Sequence, residues 1–120
     1  MDASPLTTSV ETDADTARVR LAGRLDRDGD AAMETAYEAA VASGARTIHL
    51  DFSGVDYINS TGIALIVRLL AEARRDGRAV VAAGLSEHYR EIFRITRLSD
   101  FMTIEEEAAP AIAGGAKEGT

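Results

Sequence analysis

Apolar and polar residues alternate from Thr47 to Phe52. Ile48, Leu50 and Phe52 fall on one face, and Thr47, His49 and Asp51 on the other. A period of two predicts a strand with one buried face. Ten residues on, the period changes. Ile63, Ile66, Val67, Leu70 and Ala73 recur at i, i+3, i+4 spacing, and Leu65 and Leu69 widen the stripe. That predicts a helix opening at Ser60, with Ala64, Arg68, Glu72 and Arg75 on a thin polar side. Between the two, Ser53-Gly54 reads as a turn, with Val55, Tyr57 and Ile58 anchoring the connection before Asn59.

The same reading extends in both directions. Residues 6–10 read as a short strand rich in Thr and Val, 11–16 as a polar turn, and 18–21 as a strand with Val19 and Leu21 inward, broken by Gly23. Asp28-Gly29-Asp30 reads as a turn whose Asp caps a helix. That helix carries Met33, Ala36, Tyr37, Ala40 and Val41 on one face, with Glu34 and Glu38 opposite, and ends at Ser43-Gly44. Residues 79–83 form an apolar run between glycines, suited to a central strand. Ser86 is placed to cap a third helix with Leu85, Tyr89, Ile92, Phe93 and Thr96 inward, and 101–104 read as a last short strand.

The predicted order is β-β-α-β-α-β-α-β, with a weak C-terminal helix before Pro110. Strands alternating with helices imply an α/β fold: a four- to five-stranded mixed sheet flanked by helices. Residues 1–5 are expected to be a flexible N-terminus, 6–113 a single domain and 114–120 a disordered tail.

Composition narrows the function. Twenty acidic against thirteen basic residues give a formal charge of −7, and Trp is absent. A dense basic patch and stacking aromatics are what nucleic-acid binding requires, so that class is disfavoured. The absence of cysteine removes disulfides, thiolate catalysis and Cys-based metal sites. The first ten residues lack the basic start and apolar core of a signal peptide, and no run of about 18 apolar residues suits a membrane span. No membrane insertion and a cytoplasmic location are the expectation.

Catalytic patterns are missing as well. His49 and His88 fall in different elements and read as surface histidines. No His-x-x-x-His, Gly-x-Ser-x-Gly, phosphate loop or Gly-x-Gly-x-x-Gly occurs. Asp51 and Asp56 read as turn residues rather than a catalytic carboxylate pair. No enzymatic activity, metal or cofactor is expected.

What remains is the junction Asn59-Ser60-Thr61-Gly62. Two readings stay open from the residues alone. One is plain capping by Asn59 or Ser60, worth about 1 kcal/mol. The other is a phosphoacceptor at a helix start, where free N–H groups and the helix dipole favour added negative charge. An activated nucleophile has no base nearby in sequence.

The stretch DFSGVDYINSTGIALIVRLL resembles the signature of the STAS domain, in particular of bacterial anti-sigma factor antagonists. GRLD at 23–26 is similar to that family's segment before its first helix, and GRAVVAAGLSEHYREIFRITRL to its fourth strand and following helix. The resemblance covers about residues 6–104. It implies that Ser60 is phosphorylated by a cognate anti-sigma serine kinase. The unphosphorylated form would bind that kinase and free a sigma factor, and a phosphatase acting on Ser60 would reset the switch. It implies a partner-binding surface at Asp26, Ile58, Asn59, Ser60, Thr61, Gly62 and Ile63. Two residues depart from the pattern. Asn59 stands where the family usually has Asp, and Arg97 where it often has Gly. Asn59 keeps a second expectation alive: a constitutive, unphosphorylated STAS subunit of a lipid-transport ATPase or a stress-sensing complex. A small hydrolase or nucleotide-using protein is a third, opposed by the missing base, metal cluster and phosphate loop.

Overall fold

The computed structural model describes residues 4–105. Its elements are β1 (Thr7–Asp13), β2 (Thr16–Leu25), a 3-10 turn η1 (Arg27–Gly29), α1 (Asp30–Ala42), β3 (Thr47–Ile58), α2 (Ser60–Arg75), β4 (Ala79–Ala83), α3 (Glu87–Ile95), η2 (Leu98–Asp100) and β5 (Thr103–Ile104). The expected helix before Pro110, the expected domain end at 113, the tail 114–120 and residues 1–3 lie outside the described residues. Ser4 and Pro5 are tied to β2: the Arg24 amide donates to the Ser4 carbonyl at 2.9 Å.

The sheet is mixed and five-stranded, in the order β1-β2-β3-β4-β5. β1 and β2 form an antiparallel hairpin, and β2, β3, β4 and β5 pair in parallel. Each parallel step moves one strand in the same direction. Right-handed crossovers then put all three helices on one face of the sheet. The strict alternation of buried and half-exposed residues along β2 and the first half of β3 records the same arrangement. Val19, Leu21, Ile48, Leu50 and Phe52 are buried beneath the helices, as the alternation predicts. Arg18, Arg20, His49 and Asp51 line the opposite face.

Several boundaries differ from the sequence expectation. Ser53-Gly54 is no turn: β3 runs through it to Ile58, and the register against β2 slips twice, between Arg20 and Ala22 and between Gly23 and Arg24. A turn-forming pair inside a strand marks an irregularity that bends it rather than an end. Gly23 likewise does not stop β2. It adopts φ +102°, and an added Cβ would stand 2.5 Å from the Pro5 carbonyl oxygen, so the incoming chain needs a glycine there. The residues expected as a polar turn, 11–16, mostly extend the hairpin, because β1 reaches Asp13.

The helices also correct the expected faces. α1 is capped by Gly29 with no side-chain bond, not by an aspartate, while Asp26 caps the preceding 3-10 turn. α2 buries Gly62, Leu65, Ile66, Leu69, Leu70 and Ala73, and Val67 is 45% exposed rather than inward. A helix with so wide an apolar stripe offers more than one face to a core, and close contacts decide which is used. α3 opens at Ser86, whose Oγ accepts from the Tyr89 amide at 3.2 Å, as expected. Its core residue is Phe93, edge-on to Phe52 with ring centroids 5.9 Å apart, whereas Thr96 is exposed. Phe101 ends η2 and is exposed, so β5 is shorter than predicted.

Candidate functional site at the tip of the second helix

The end of β2 builds the site. The Leu25 carbonyl accepts the Asn59 amide at 3.3 Å, locking the end of β3 against β2. Gly62, in the first turn of α2, rests on that same carbonyl, where a Cβ would clash with backbone. The helix tip is therefore held by main-chain contacts rather than by long side chains. Asn59 caps it: its Oδ1 accepts the Gly62 amide at 2.8 Å, and its carbonyl accepts the Ile63 amide at 2.9 Å. Capping thus falls to Asn59. Ser60 is left as the first helical residue, with its side chain exposed and no hydrogen bond to make to the cap.

A second segment reaches the tip from the other side. Asp26 Oδ1 accepts the Asp28 amide at 3.0 Å, shaping η1, and its Oδ2 pairs with Arg24 Nε at 2.6 Å. Asp26, Arg27, Asp28, Asn59 and Thr61 line a cleft of about 300 Å³ between η1 and the α2 tip. The structure thus gathers Asp26, Asn59 and Thr61 around one cleft, and Ser60, between the last two in the chain, is exposed.

Ile58 and Ile63 stand elsewhere. Ile58 is 6% exposed and belongs to the core, and Ile63 is half-buried against it. The family resemblance implies a partner surface that includes both. Ile58, the last residue of β3, sits under the helix instead, so its side chain is withdrawn. The exposed apolar residue at this end is Tyr57, 47% accessible. The sequence pattern reads Tyr57 as an anchor of the connection before Asn59, which gives no sign of this exposure. Tyr89 was missed too. Its hydroxyl accepts the Ile58 amide at 3.0 Å, with the Ile58 carbonyl at 3.4 Å, and so fixes the strand end just before Asn59. Its place on the inward face of α3 was legible, but not this polar role.

Electrostatically, the first turn of α2 carries no acidic side chain. The amides at its start and the helix dipole leave it a locally positive end. Asp26 and Asp28 across the cleft, and exposed Asp56 before it, set negative charge around that end. The histidines lie apart: His49 is on the open sheet face near Glu105, and His88 is exposed at the start of α3. Among the described residues no cluster of three or more His, Cys, Asp or Glu is arranged to hold a metal, and no helix is long and apolar enough to cross a membrane.

Comparison with known proteins gives this geometry a family. The anti-sigma-B factor antagonist of Staphylococcus epidermidis is 28% identical over 88 residues, covering 73% of this chain and 82% of that protein. The crystal structure of an anti-sigma factor antagonist from Mycobacterium paratuberculosis superposes with a TM-score of 0.68 at 25% identity, covering 88% of this chain and 91% of the other. The Bacillus cell fate determinant SpoIIAA in its phosphorylated form shares the fold, with a TM-score of 0.64 at 21% identity over 84% of this chain and 93% of that one. The family model described as "Mlab, STAS domain" matches residues 8–105, so the chain belongs to the STAS domain family.

Proposed function

We propose that this chain is an anti-sigma factor antagonist and that Ser60 is its switch. The observation that carries the reading is the exposed Ser60 side chain at the first position of α2, freed from capping by Asn59. The names of the relatives above support the antagonist role. In the unphosphorylated form the α2 tip, with Asp26, Asn59, Thr61 and Tyr57 around it, docks on the anti-sigma kinase, and the sigma factor is released. Gly62 and Ile63 hold the tip's shape from beneath. Phosphorylation adds about two negative charges beside Asp26 and Asp28. Forcing that charge into a protein contact without a counter-ion costs several kcal/mol, enough to weaken binding by two or more powers of ten. No change of fold is needed. A phosphatase removes the group, and the cycle runs in the cytoplasm.

The test is a titration of the pure chain with its anti-sigma factor. Ser60→Ala is expected to bind like the wild type and Ser60→Glu at least 30-fold more weakly. Incubation with the kinase and ATP is expected to place the phosphate on the Ser60 peptide by mass spectrometry. Equal binding by Ser60→Glu overturns the switch.

Asn59 and the name of the matching family model favour one second reading, a constitutive STAS subunit of a lipid-transport ATPase. Its signature is partner binding that is indifferent to both Ser60 variants and no phosphate uptake at Ser60.

A further inference from the structure

A groove far from the α2 tip remains unexplained by that reading. It lies between the C-terminal half of α2 and the α3–η2 connection, has a volume of about 300 Å³, and is lined by Val67, Leu70, Arg74, Thr96, Leu98 and Phe101 among others. Leu70 and Leu98 are buried and form its floor, whereas Val67 is 45% and Phe101 54% exposed. Large apolar side chains left open side by side on a soluble protein mark a contact surface more often than chance.

Charge decides what fits. In a chain of net charge −7, the charged residue lining this groove is a cation: Arg74, its guanidinium 5.6 Å from the Phe101 ring centroid. No carboxylate lines it among the described residues. Arg97 lies between Thr96 and Leu98 in the chain. A second copy is a poor occupant. It would bring a like net charge. The groove suits two or three apolar side chains from one ridge of a helix.

We propose that this groove docks an amphipathic helix of a partner protein, with an apolar ridge flanked by carboxylates that meet Arg74. The surface works independently of Ser60. Arg74 lies 14 residues along α2 from Ser60. At about 1.5 Å per residue that is roughly 21 Å, more than two screening lengths at physiological salt. A helix bound here therefore stays bound whether or not the tip is charged, and would keep a partner tethered through a switching cycle.

Two synthetic 15-residue helices test this, one with leucines at i, i+4, i+7 and i+11 flanked by glutamates, the other with lysines in place of the glutamates. Each is titrated into the isotopically labelled full chain and followed by amide NMR shifts. The acidic helix is expected to bind at least ten-fold tighter than the basic one, with shifts gathered on 67–74 and 96–101. Val67→Asp and Phe101→Ser, both at exposed positions, are expected to weaken it at least ten-fold. Arg74→Glu is expected to invert the charge preference, and Ser60→Glu to change affinity less than two-fold. Equal binding of the two helices, shifts elsewhere on the chain, or an unmoved preference in Arg74→Glu overturns the proposal. So does a concentration-dependent dimer abolished by Val67→Asp, which would assign the groove to a second copy, or tighter binding of a fatty acid than of either helix.

Discussion

Gly62 lies against the backbone carbonyl of Leu25 with no room for a side chain between them. The atom in the way is backbone, so nothing flexible can yield. That same carbonyl accepts the Asn59 amide, so one oxygen sets both the end of β3 and the depth of α2. Gly62→Ala is expected to lower stability by about 1–3 kcal/mol, the usual cost of overpacking. It also displaces the tip that carries Ser60. Urea unfolding reads the first effect, and amide shifts at residues 59–63 read the second. An alanine variant as stable as the wild type would show that the contact is loose.

Asn59 separates capping from charge. Asn59→Ala removes the acceptor for the Gly62 amide and is expected to cost about 1 kcal/mol. Asn59→Asp keeps the acceptor and adds a negative charge at the helix's positive end, expected to add about 0.3–1 kcal/mol at low salt and less at high salt. Thermal melts at two ionic strengths distinguish these outcomes. If phosphorylation depends on an acidic residue before the serine, Asn59→Asp also raises the rate of phosphate uptake at Ser60.

Arg97 stands at φ +68°, ψ +13°, between α3 and η2. The left-handed region costs an L side chain roughly 1 kcal/mol relative to glycine. Its compensation is an exposed pair with Asp100 at 2.7 Å, and such pairs contribute little. Arg97→Gly is therefore expected to raise stability by about 0.5–1 kcal/mol, measured by urea midpoint at unchanged slope. A loss instead would mean that the ion pair outweighs the backbone strain.

Where one physical pattern dominates a segment, its residues disclosed their place. Ile48, Leu50 and Phe52 could only be one face of a strand, and Ser86 stood alone as a cap before an amphipathic run. Where patterns compete, they did not. Ser53 and Gly54 carry turn chemistry, yet pairing with β2 holds them in β3, and only neighbours distant in sequence supply that pairing. The rotation of α2 was hidden for the same reason. Its apolar residues surround most of the helix, and the contact of Gly62 with Leu25 chooses Leu65 and Leu69 over Val67. At the candidate site, the chain order placed Asn59, Ser60 and Thr61 together. The meeting with Asp26 across the cleft, the burial of Ile58 and the Tyr89 bond depend on tertiary packing, which local spacing does not encode.

Tyr37 offers a test by pH. It is buried between α1 and α2, and its hydroxyl donates to Asp76 Oδ2 at 2.6 Å. Burial first, then the bond to Asp76 and that carboxylate's charge, push its pKa up to about 12 from an ordinary value of 10.0. A raised folded pKa means that the neutral phenol is what the fold favours. Its contribution to stability is whole below pH 10, the unfolded value, and drains away as the pH climbs toward 12. The loss across that window is expected to be roughly 2 kcal/mol. Tyr37→Phe should be less stable than the wild type at neutral pH and should lose this alkaline dependence, so the two urea midpoints converge as the pH rises. Ultraviolet titration gives a direct check on the cause: a component that ionises well above pH 10 should be present in the wild type and should vanish in Tyr37→Phe. A Tyr37 that ionises near 10 would mean that neither its burial nor its bond to Asp76 is held in solution.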